Sequence, residues 1–334
     1  METDKQCSAT DILNLATGYW QACALHTAVK LDIFTVLTHE CECRSPAEVA
    51  SLLECDRRGI TILLDALAAM GLLEKKGTCY TVRKSVKRFL VTGSSEYLGN
   101  IIMHHHHLVD GWAQLDQAVR SGQPVEKRCH GEEHERESFQ LGMFNLAMAI
   151  APKIAEQIDL QGRRHLLDLG GGPGAYAIHF CQANPGLRAT IVDRPMTHNF
   201  ADKAIHFFGL QERIDFLGGD ITSTAIKGEY DVAWLSQVLH GYGPDECRRI
   251  IAGAVDSLTP GGLIMIHEFF LNSTKDGPLF PALFSLNMLI NNPGGRSYSE
   301  DEISAMLTEN GVRNLKRLPF VGPNDSYVLC GTVA

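Results

Sequence analysis

The sequence predicts an α/β protein: a doubly wound parallel sheet preceded by a smaller, mostly helical unit. Three observations carry that expectation. From about His165 onward, short β-rich runs alternate with helical stretches, as parallel strands joined by crossover helices require. The first of these runs enters a glycine loop, Gly170-Gly171-Gly172-Pro173-Gly174, which opens a helix. Up to about residue 100 the chain instead reads as helix, helix, hairpin, a winged-helix pattern.

The elements follow in order. The N-terminal METDKQCSATD carries acids where a secretory signal would carry a basic stretch before an apolar core, so no signal peptide is expected. Ser45-Pro46-Ala47-Glu48 is a helix start, with Ser45 as N-cap, Pro46 at the first position and Glu48 closing a capping box. Ile60, Leu63, Leu64, Leu67 and Met70 recur at helical spacing, and Gly71 stands where a glycine ends a helix. Leu72 to Val82 gives two short strands around a turn at Gly77. In the second half the expected strands are His165–Leu169, Ala189–Asp193, Ile214–Leu217, Tyr230–Leu235 and Gly262–Phe269. Asn314–Pro319 and Ser326–Thr332 then form an antiparallel edge hairpin, making seven strands in all. Three regions result: a winged-helix-like unit over 1–100, a helical linker over 101–160 and the sheet domain over 161–334.

Composition narrows the function. With 45% hydrophobic and 21% charged residues the chain is an ordinary globular protein. Its longest apolar runs, Gly262–Phe270 and Pro281–Ile290, fall far short of the ~20 residues a membrane span needs, so a soluble, cytoplasmic protein with no membrane partner is expected. A net charge of −9, from 30 Lys+Arg against 39 Asp+Glu, argues against nucleic acid as a partner and for a small-molecule substrate. The basic cluster Arg83, Lys84, Lys87, Arg88 would suit DNA, but the second helix is apolar where a groove reader needs polar residues. Ten cysteines are scattered without a Cys-x-x-Cys pair, so reduced thiols are expected. His130-Gly-Glu-Glu133-His134 fits a bare zinc-protease spacing, yet it lies in a charged stretch lacking the apolar face of such a helix; no metal is expected.

The glycine loop puts backbone N–H groups at the carboxyl edge of the sheet, where a nucleotide cofactor belongs. Gly170-x-Gly172-x-x-Ala175 also satisfies the dinucleotide fingerprint, so the glycines alone do not choose the cofactor. Asp168 would repel a pyrophosphate on that loop but suits a cofactor bearing an ammonium and a sulfonium. Asp193, ending the next strand, can accept hydrogen bonds from ribose hydroxyls, and Asp220, after the third strand, is placed to meet an adenine amino group.

On these residues, and on Phe139-Gln-Leu-Gly-Met143, Leu239-His240-Gly-Tyr-Gly-Pro-Asp-Glu-Cys247 and Asn292-Pro-Gly-Gly-Arg296, the sequence resembles class I S-adenosylmethionine-dependent O-methyltransferases. Within that class it is similar to the dimeric small-molecule enzymes of caffeate, acetylserotonin and polyketide-tailoring type. The resemblance covers nearly the whole chain. It implies a Rossmann-like seven-stranded methyltransferase sheet, a homodimer formed through the winged-helix half, and S-adenosylmethionine as cofactor, leaving S-adenosylhomocysteine. It further implies His240 as general base with Glu268 orienting it, and Ile221 and Ser236 beside Asp168, Gly170, Gly172, Asp193 and Asp220 in the cofactor site. Met143 and Asn292 match family residues on a small aromatic or heteroaromatic hydroxyl acceptor, and Phe144, Met288, Asn291 and His107 are further candidates for its pocket. On a helix one or two of the run His104–His107 would face the cleft before Trp112, which makes His104, His105 and His107 candidates for touching it. The sequence departs from the family twice. Gly241-Tyr242 stands where many relatives have Asp-Trp, and Ser297 replaces a second glutamate. An NAD-dependent oxidoreductase and a winged-helix ligand-sensing regulator are the alternative readings.

Overall fold

The computed structural model describes residues 7–39, 43–125, 132–224, 226 and 228–334, with the side chains of residues 132–134 excepted. They cluster into two compact units, Met1–Leu108 with Gly131–Asn145, and Val109–His130 with Leu146–Ala334. Residues of the 101–160 stretch are thus divided between both.

The first unit runs α1 (Ala9–Thr17), α2 (Tyr19–Lys30), α3 (Ile33–Val36), α4 (Pro46–Leu52) and α5 (Arg57–Ala69). It continues through the hairpin β1 (Leu73–Lys76) and β2 (Cys79–Val82), then α6 (Lys84–Leu90) and the start of α7 (Gly99–Trp112). Ser45 caps α4 as expected, its hydroxyl accepting from the Glu48 N–H while the Glu48 carboxylate accepts from the Ser45 N–H. Ile60, Leu64 and Leu67 of α5 are buried with Phe34, Leu37, Leu73 and Tyr80, so the helical spacing read from the sequence marks this unit's core. α1 and α2 turn the other way: Ile12, Leu13, Leu15, Tyr19 and Trp20 are all more than half exposed. One expectation is overturned here. Cys43 and Cys79 are joined in a disulfide with Cα atoms 5.8 Å apart. The paired backbones of Arg44 and Tyr80 bring the two together, a tertiary contact that cysteine spacing does not reveal. Among the described residues Cys7, Cys23, Cys55, Cys181, Cys247 and Cys330 are free.

The second unit takes the end of α7, α8 (Leu115–Ser121) and most of α9 (Glu132–Gln157), then alternates β3 (His165–Leu169), α10 (Ala175–Ala183), β4 (Arg188–Asp193), α11 (His198–Phe207) and β5 (Ile214–Gly218). It goes on through β6 (Tyr230–Ser236), α12 (Pro244–Asp256), β7 (Leu258–Glu268), α13 (Leu279–Asn291), α14 (Glu300–Glu309), β8 (Val312–Val321) and β9 (Tyr327–Val333). The seven strands form one sheet in the order β5-β4-β3-β6-β7-β9-β8, with β3 to β7 parallel. The final hairpin is antiparallel, and its second strand, β9, is the one that joins β7. β7 starts at Leu258, ahead of the expected Gly262, because Leu258 already pairs with Tyr230 before a register irregularity. Side chains alternate between two cores: Leu166, Trp234 and Met265 on one face, Leu167, Leu169, Leu235, Ile264 and Ile266 on the other. Burial on both faces is what continuous apolar runs such as Leu263–Ile266 encode.

Among the described residues no helix is long and apolar enough to cross a membrane, and no cluster of His, Cys, Asp and Glu could hold a metal ion. Of the zinc-type spacing, His130 and Gly131 lie outside the described residues, as do the side chains of Glu133 and His134.

Candidate active site

All five parallel strands end at one edge of the sheet, and the glycine loop sits there between β3 and α10. Gly170 has φ +69°, and a Cβ on it would lie 2.5 Å from a methyl of Val238, which covers the loop from the β6 side. Only glycine meets both conditions. The loop's N–H groups are used inside the protein. Gly170 donates to the Val192 carbonyl (2.8 Å), Gly174 to that of Gly171 (2.9 Å), and Gly172 to Asp193 Oδ2 (2.8 Å). A pyrophosphate on the loop would have to compete for those three donors, which counts against the dinucleotide reading.

Beneath the loop lies Asp168, 1% exposed. Among the described residues neither of its carboxylate oxygens has a hydrogen-bond partner. Burial pushes its carboxyl up to about 7; the nearby Ala177 N–H offsets part of that rise, and Asp193 adds to it. A buried, unpaired acid demands a cationic partner. The ammonium group of S-adenosylmethionine is of the right charge, so these residues fit that cofactor.

Asp193 accepts at Oδ2 from Gly172 and at Oδ1 from the Arg194 N–H (2.7 Å) and the Thr197 hydroxyl (3.2 Å), which fixes it at the end of β4. Asp220, past β5, is exposed and turns on itself, accepting from the Thr222 N–H (2.9 Å) and hydroxyl (2.8 Å) that hold it well below the usual carboxylate range. Ile221 packs against the core that covers the Leu167 and Leu169 face of the sheet. Ser236, ending β6, is hydrogen-bonded to His267 (2.9 Å). Tyr242 is a member of this edge that its sequence position alone left undecided: its phenol is influenced by Arg194, Asp220 and Asp193, and burial raises its pKa above the ordinary value.

His240 stands in a 3-10 turn, Leu239–Gly241, just past β6. Its Nδ1 lies 2.8 Å from Glu268 Oε2, and its backbone N–H reaches Oε1 at 3.4 Å. Glu268 is 5% exposed at the end of β7. With the carboxylate accepting, Nδ1 carries the proton and Nε2 keeps its lone pair, the tautomer a base requires. Phe284 meets the imidazole edge-on at 4.8 Å and Phe269 stacks at 6.3 Å, giving the ring an aromatic surround. The loop after α13 closes on the same turn, the Arg296 N–H donating to the His240 carbonyl (2.8 Å).

The residues of this unit expected on the acceptor side, Met288, Asn291 and Asn292, lie on α13 and that loop. Asn292 donates to Met288 Sδ (3.2 Å). Asn291 donates to the Asn287 carbonyl (2.6 Å), while its Oδ1 is buried without a partner among the described residues. Ser297, standing where relatives have glutamate, is 3% exposed and donates to the Pro281 carbonyl (2.8 Å), with its N–H bound to Ser285 Oγ (3.0 Å). It is a structural tie between loop and helix. In the first unit His107 carries a buried Nδ1 without a partner among the described residues, Met143 and Phe144 lie half-buried on α9, and His104 packs edge-on against Phe139.

An edge of this kind, with its buried acid under a glycine loop and a carboxylate-held histidine just past the neighbouring strand, defines a class I S-adenosylmethionine-dependent enzyme. The family models agree. One described as the O-methyltransferase domain matches residues 112–313, and one described as the O-methyltransferase dimerisation domain matches residues 13–92. The chain belongs to that O-methyltransferase family, and S-adenosylmethionine is its cofactor. It is 31% identical to the 3-hydroxy-5-methyl-1-naphthoate 3-O-methyltransferase of Streptomyces sahachiroi, over 97% of this chain and 95% of that one. It is 28% identical to the acetylserotonin O-methyltransferase of Bos taurus, over 90% and 91%. The solved structure of PigF with S-adenosylhomocysteine superposes with a TM-score of 0.88 at 28% identity, covering 97% of this chain and 99% of that one.

Proposed function

We propose that this enzyme methylates a hydroxyl of a small aromatic or heteroaromatic acceptor, with His240 as general base. The 2.8 Å contact between His240 and Glu268 carries the reading. A phenol with pKa near 10 is a poor nucleophile at neutral pH, and a positioned imidazole raises its reactivity by ~10²- to 10⁴-fold. Bound S-adenosylmethionine supplies an electrophilic methyl group. His240 Nε2 would take the phenolic proton, and Glu268 would stabilise the imidazolium that results. Asp168 holds the cofactor's ammonium group. Gly170 and Gly172 would let the loop pass close to it, Asp193 would take ribose hydroxyls, and Asp220 with Ile221 and Ser236 would complete the adenosyl side.

Met288, Asn291 and Asn292 are assigned to the acceptor, with Phe269 and Phe284 giving a planar ring a surface to lie on. Met143, which matches a family methionine, and with it Phe144 and His107 are taken as acceptor residues as well. The named substrate of the naphthoate-methylating relative supports a fused aromatic acid bearing a hydroxyl. The exposed apolar side chains of α1 and α2, within the matched dimerisation domain, support a homodimer. Residues 1–100 are taken as the dimerisation region, 101–160 as a helical linker that contributes to the acceptor site, and 161–334 as the catalytic domain. The test is calorimetric titration with S-adenosylhomocysteine, with NADH as control, followed by turnover of 3-hydroxy-1-naphthoate and N-acetylserotonin. Micromolar binding of S-adenosylhomocysteine and a turnover lost in His240→Ala are expected; full turnover in that variant would remove His240 from the chemistry.

A further inference from the structure

The fully buried His267 lies one residue before the base-holding Glu268 and takes no part in the scheme above. Its Nδ1 is hydrogen-bonded to Ser236 Oγ at 2.9 Å and lies 3.5 Å from the Tyr176 hydroxyl; its Nε2 is hydrogen-bonded to Ser326 Oγ at 3.1 Å. Trp234 stacks against the ring at 6.0 Å and Phe320 meets it edge-on at 5.8 Å. This polar island is built from four elements, α10, β6, β7 and the β8–β9 turn, inside an otherwise apolar core. Burying it costs free energy unless every hydrogen bond is kept.

The island's place gives the cost a purpose. β6 ends at Ser236, and Gln237 then takes a left-handed conformation, φ +53°, unusual for a residue with a side chain. That bend sets Val238 over Gly170 and carries the chain into the His240 turn. Two bonds hold it, both to one residue: Ser236 Oγ to the His267 ring, and the Gln237 N–H donating to the His267 carbonyl at 2.7 Å. Successive residues on a strand face opposite sides of the sheet, so His267 grips the end of β6 on one face while Glu268 grips His240 on the other. Ser326 in turn ties the ring to the final hairpin.

We propose that His267 is a positioning residue for methyl transfer, a neutral imidazole clamp that fixes the β6 bend and with it both the cover of the cofactor loop and the place of the base. Burial lowers its pKa to about 4, so it is uncharged at neutral pH and each ring nitrogen serves one serine. This inference rests on the O-methyltransferase reading of the same edge. It does not give His267 contact with substrate or cofactor.

His267→Phe keeps the ring and its stacking partners but removes both hydrogen bonds. His267→Gln restores a donor and an acceptor on a flexible stem. Ser326→Ala removes the outer bond alone. For each, S-adenosylhomocysteine affinity, kcat with 3-hydroxy-1-naphthoate and Tm are measured on the full chain. The expected result is about tenfold weaker S-adenosylhomocysteine binding and at least a tenfold lower kcat in His267→Phe, recovery to within about threefold in His267→Gln, and a smaller loss in Ser326→Ala. Variants that lower Tm while leaving affinity and kcat at wild-type values would overturn the proposal, because the island would then serve only the core. If His267→Phe does not fold, Ser326→Ala decides by the same two readouts. Should the wild-type protein bind no S-adenosylhomocysteine, the cofactor reading fails instead; a wild type that binds and loses turnover in His240→Ala while His267→Phe is unchanged sinks this inference alone.

Discussion

Asp168→Asn separates stability from function and gives the sharpest test of the cofactor site. The wild-type carboxyl is raised from 3.8 to about 7 by burial without a hydrogen-bond partner among the described residues. Each unit is worth 1.36 kcal/mol, so holding the ionised form in the unliganded protein costs about 4 kcal/mol above pH 7. The sign follows from proton counting. Between pH 3.8 and about 7 the folded state binds the extra proton, so stability is fullest below that window and falls as pH rises through it. Asparagine carries no charge and removes this dependence. It should therefore stabilise the unliganded protein at pH 7.5 by roughly 1 to 3 kcal/mol, the remainder going to an amide buried without full pairing. On the proposed reading the same change removes the anion that would pair with the cofactor's ammonium, worth about 1.5 to 3 kcal/mol, or roughly ten- to hundred-fold in Kd. Wild-type affinity for S-adenosylhomocysteine should also rise close to tenfold per unit from pH 5 to pH 7, while the variant is flat. Denaturant titration and calorimetry across that range measure both. An Asp168→Asn protein that is less stable without ligand, yet binds as tightly as wild type at every pH, would refute the assignment.

Other outcomes follow from single residues. Glu268→Gln keeps the volume beside His240 but offers an amide in place of the charge, so kcat should fall ~10²-fold or more with S-adenosylhomocysteine affinity nearly intact; equal kcat in stopped or steady-state assays would dismiss the dyad. Gly170→Ala, with φ +69° and Val238 2.5 Å from the new methyl, should cost about 1 to 3 kcal/mol and weaken cofactor binding, read by thermal shift with and without ligand. Reducing the Cys43–Cys79 disulfide opens a loop with a sequence separation of 36, and dithiothreitol should lower the stability of the first unit by up to about 4 kcal/mol; an unchanged unfolding curve, or two free thiols by mass spectrometry in the untreated protein, would contradict it. Leu15→Glu with Trp20→Glu places charges on the exposed apolar face of α1 and α2 and should leave a monomer by light scattering.

The fold was legible where local chemistry and tertiary demand coincide. Ser45 with Glu48 is a capping box in the sequence and in the structure, because all its partners lie within one turn. The strands β3, β4, β6 and β7 showed as apolar runs because both sheet faces are covered there, which leaves no polar alternation to confuse with a helix; the edge strand β5, with Asp215 and an exposed Leu217, is the exception. The Cys43–Cys79 pair was illegible for the opposite reason: α4, α5 and β1 intervene, and only the Arg44–Tyr80 pairing closes the distance.

At the site the boundary runs through adjacent residues. Asp168, Asp193 and His240 could be placed at or just past strand ends from the sequence alone, the edge where such sheets bind ligands, and the structure has them there. Ser297 could be named as a departure, but its bond to the Pro281 carbonyl, which ties the loop to α13, needed coordinates. His267 is the clearest case. In the sequence it is an unremarked neighbour of Glu268 within an apolar run, and a buried histidine is more often read as core than as machinery. Its partners, Ser236 and Ser326, come from a strand and a turn far away in sequence, and hydroxyls carry no spacing signal of their own. A buried polar clamp becomes visible only when the donors and acceptors are counted in three dimensions, because what identifies it is that each finds a partner where the surrounding core offers none.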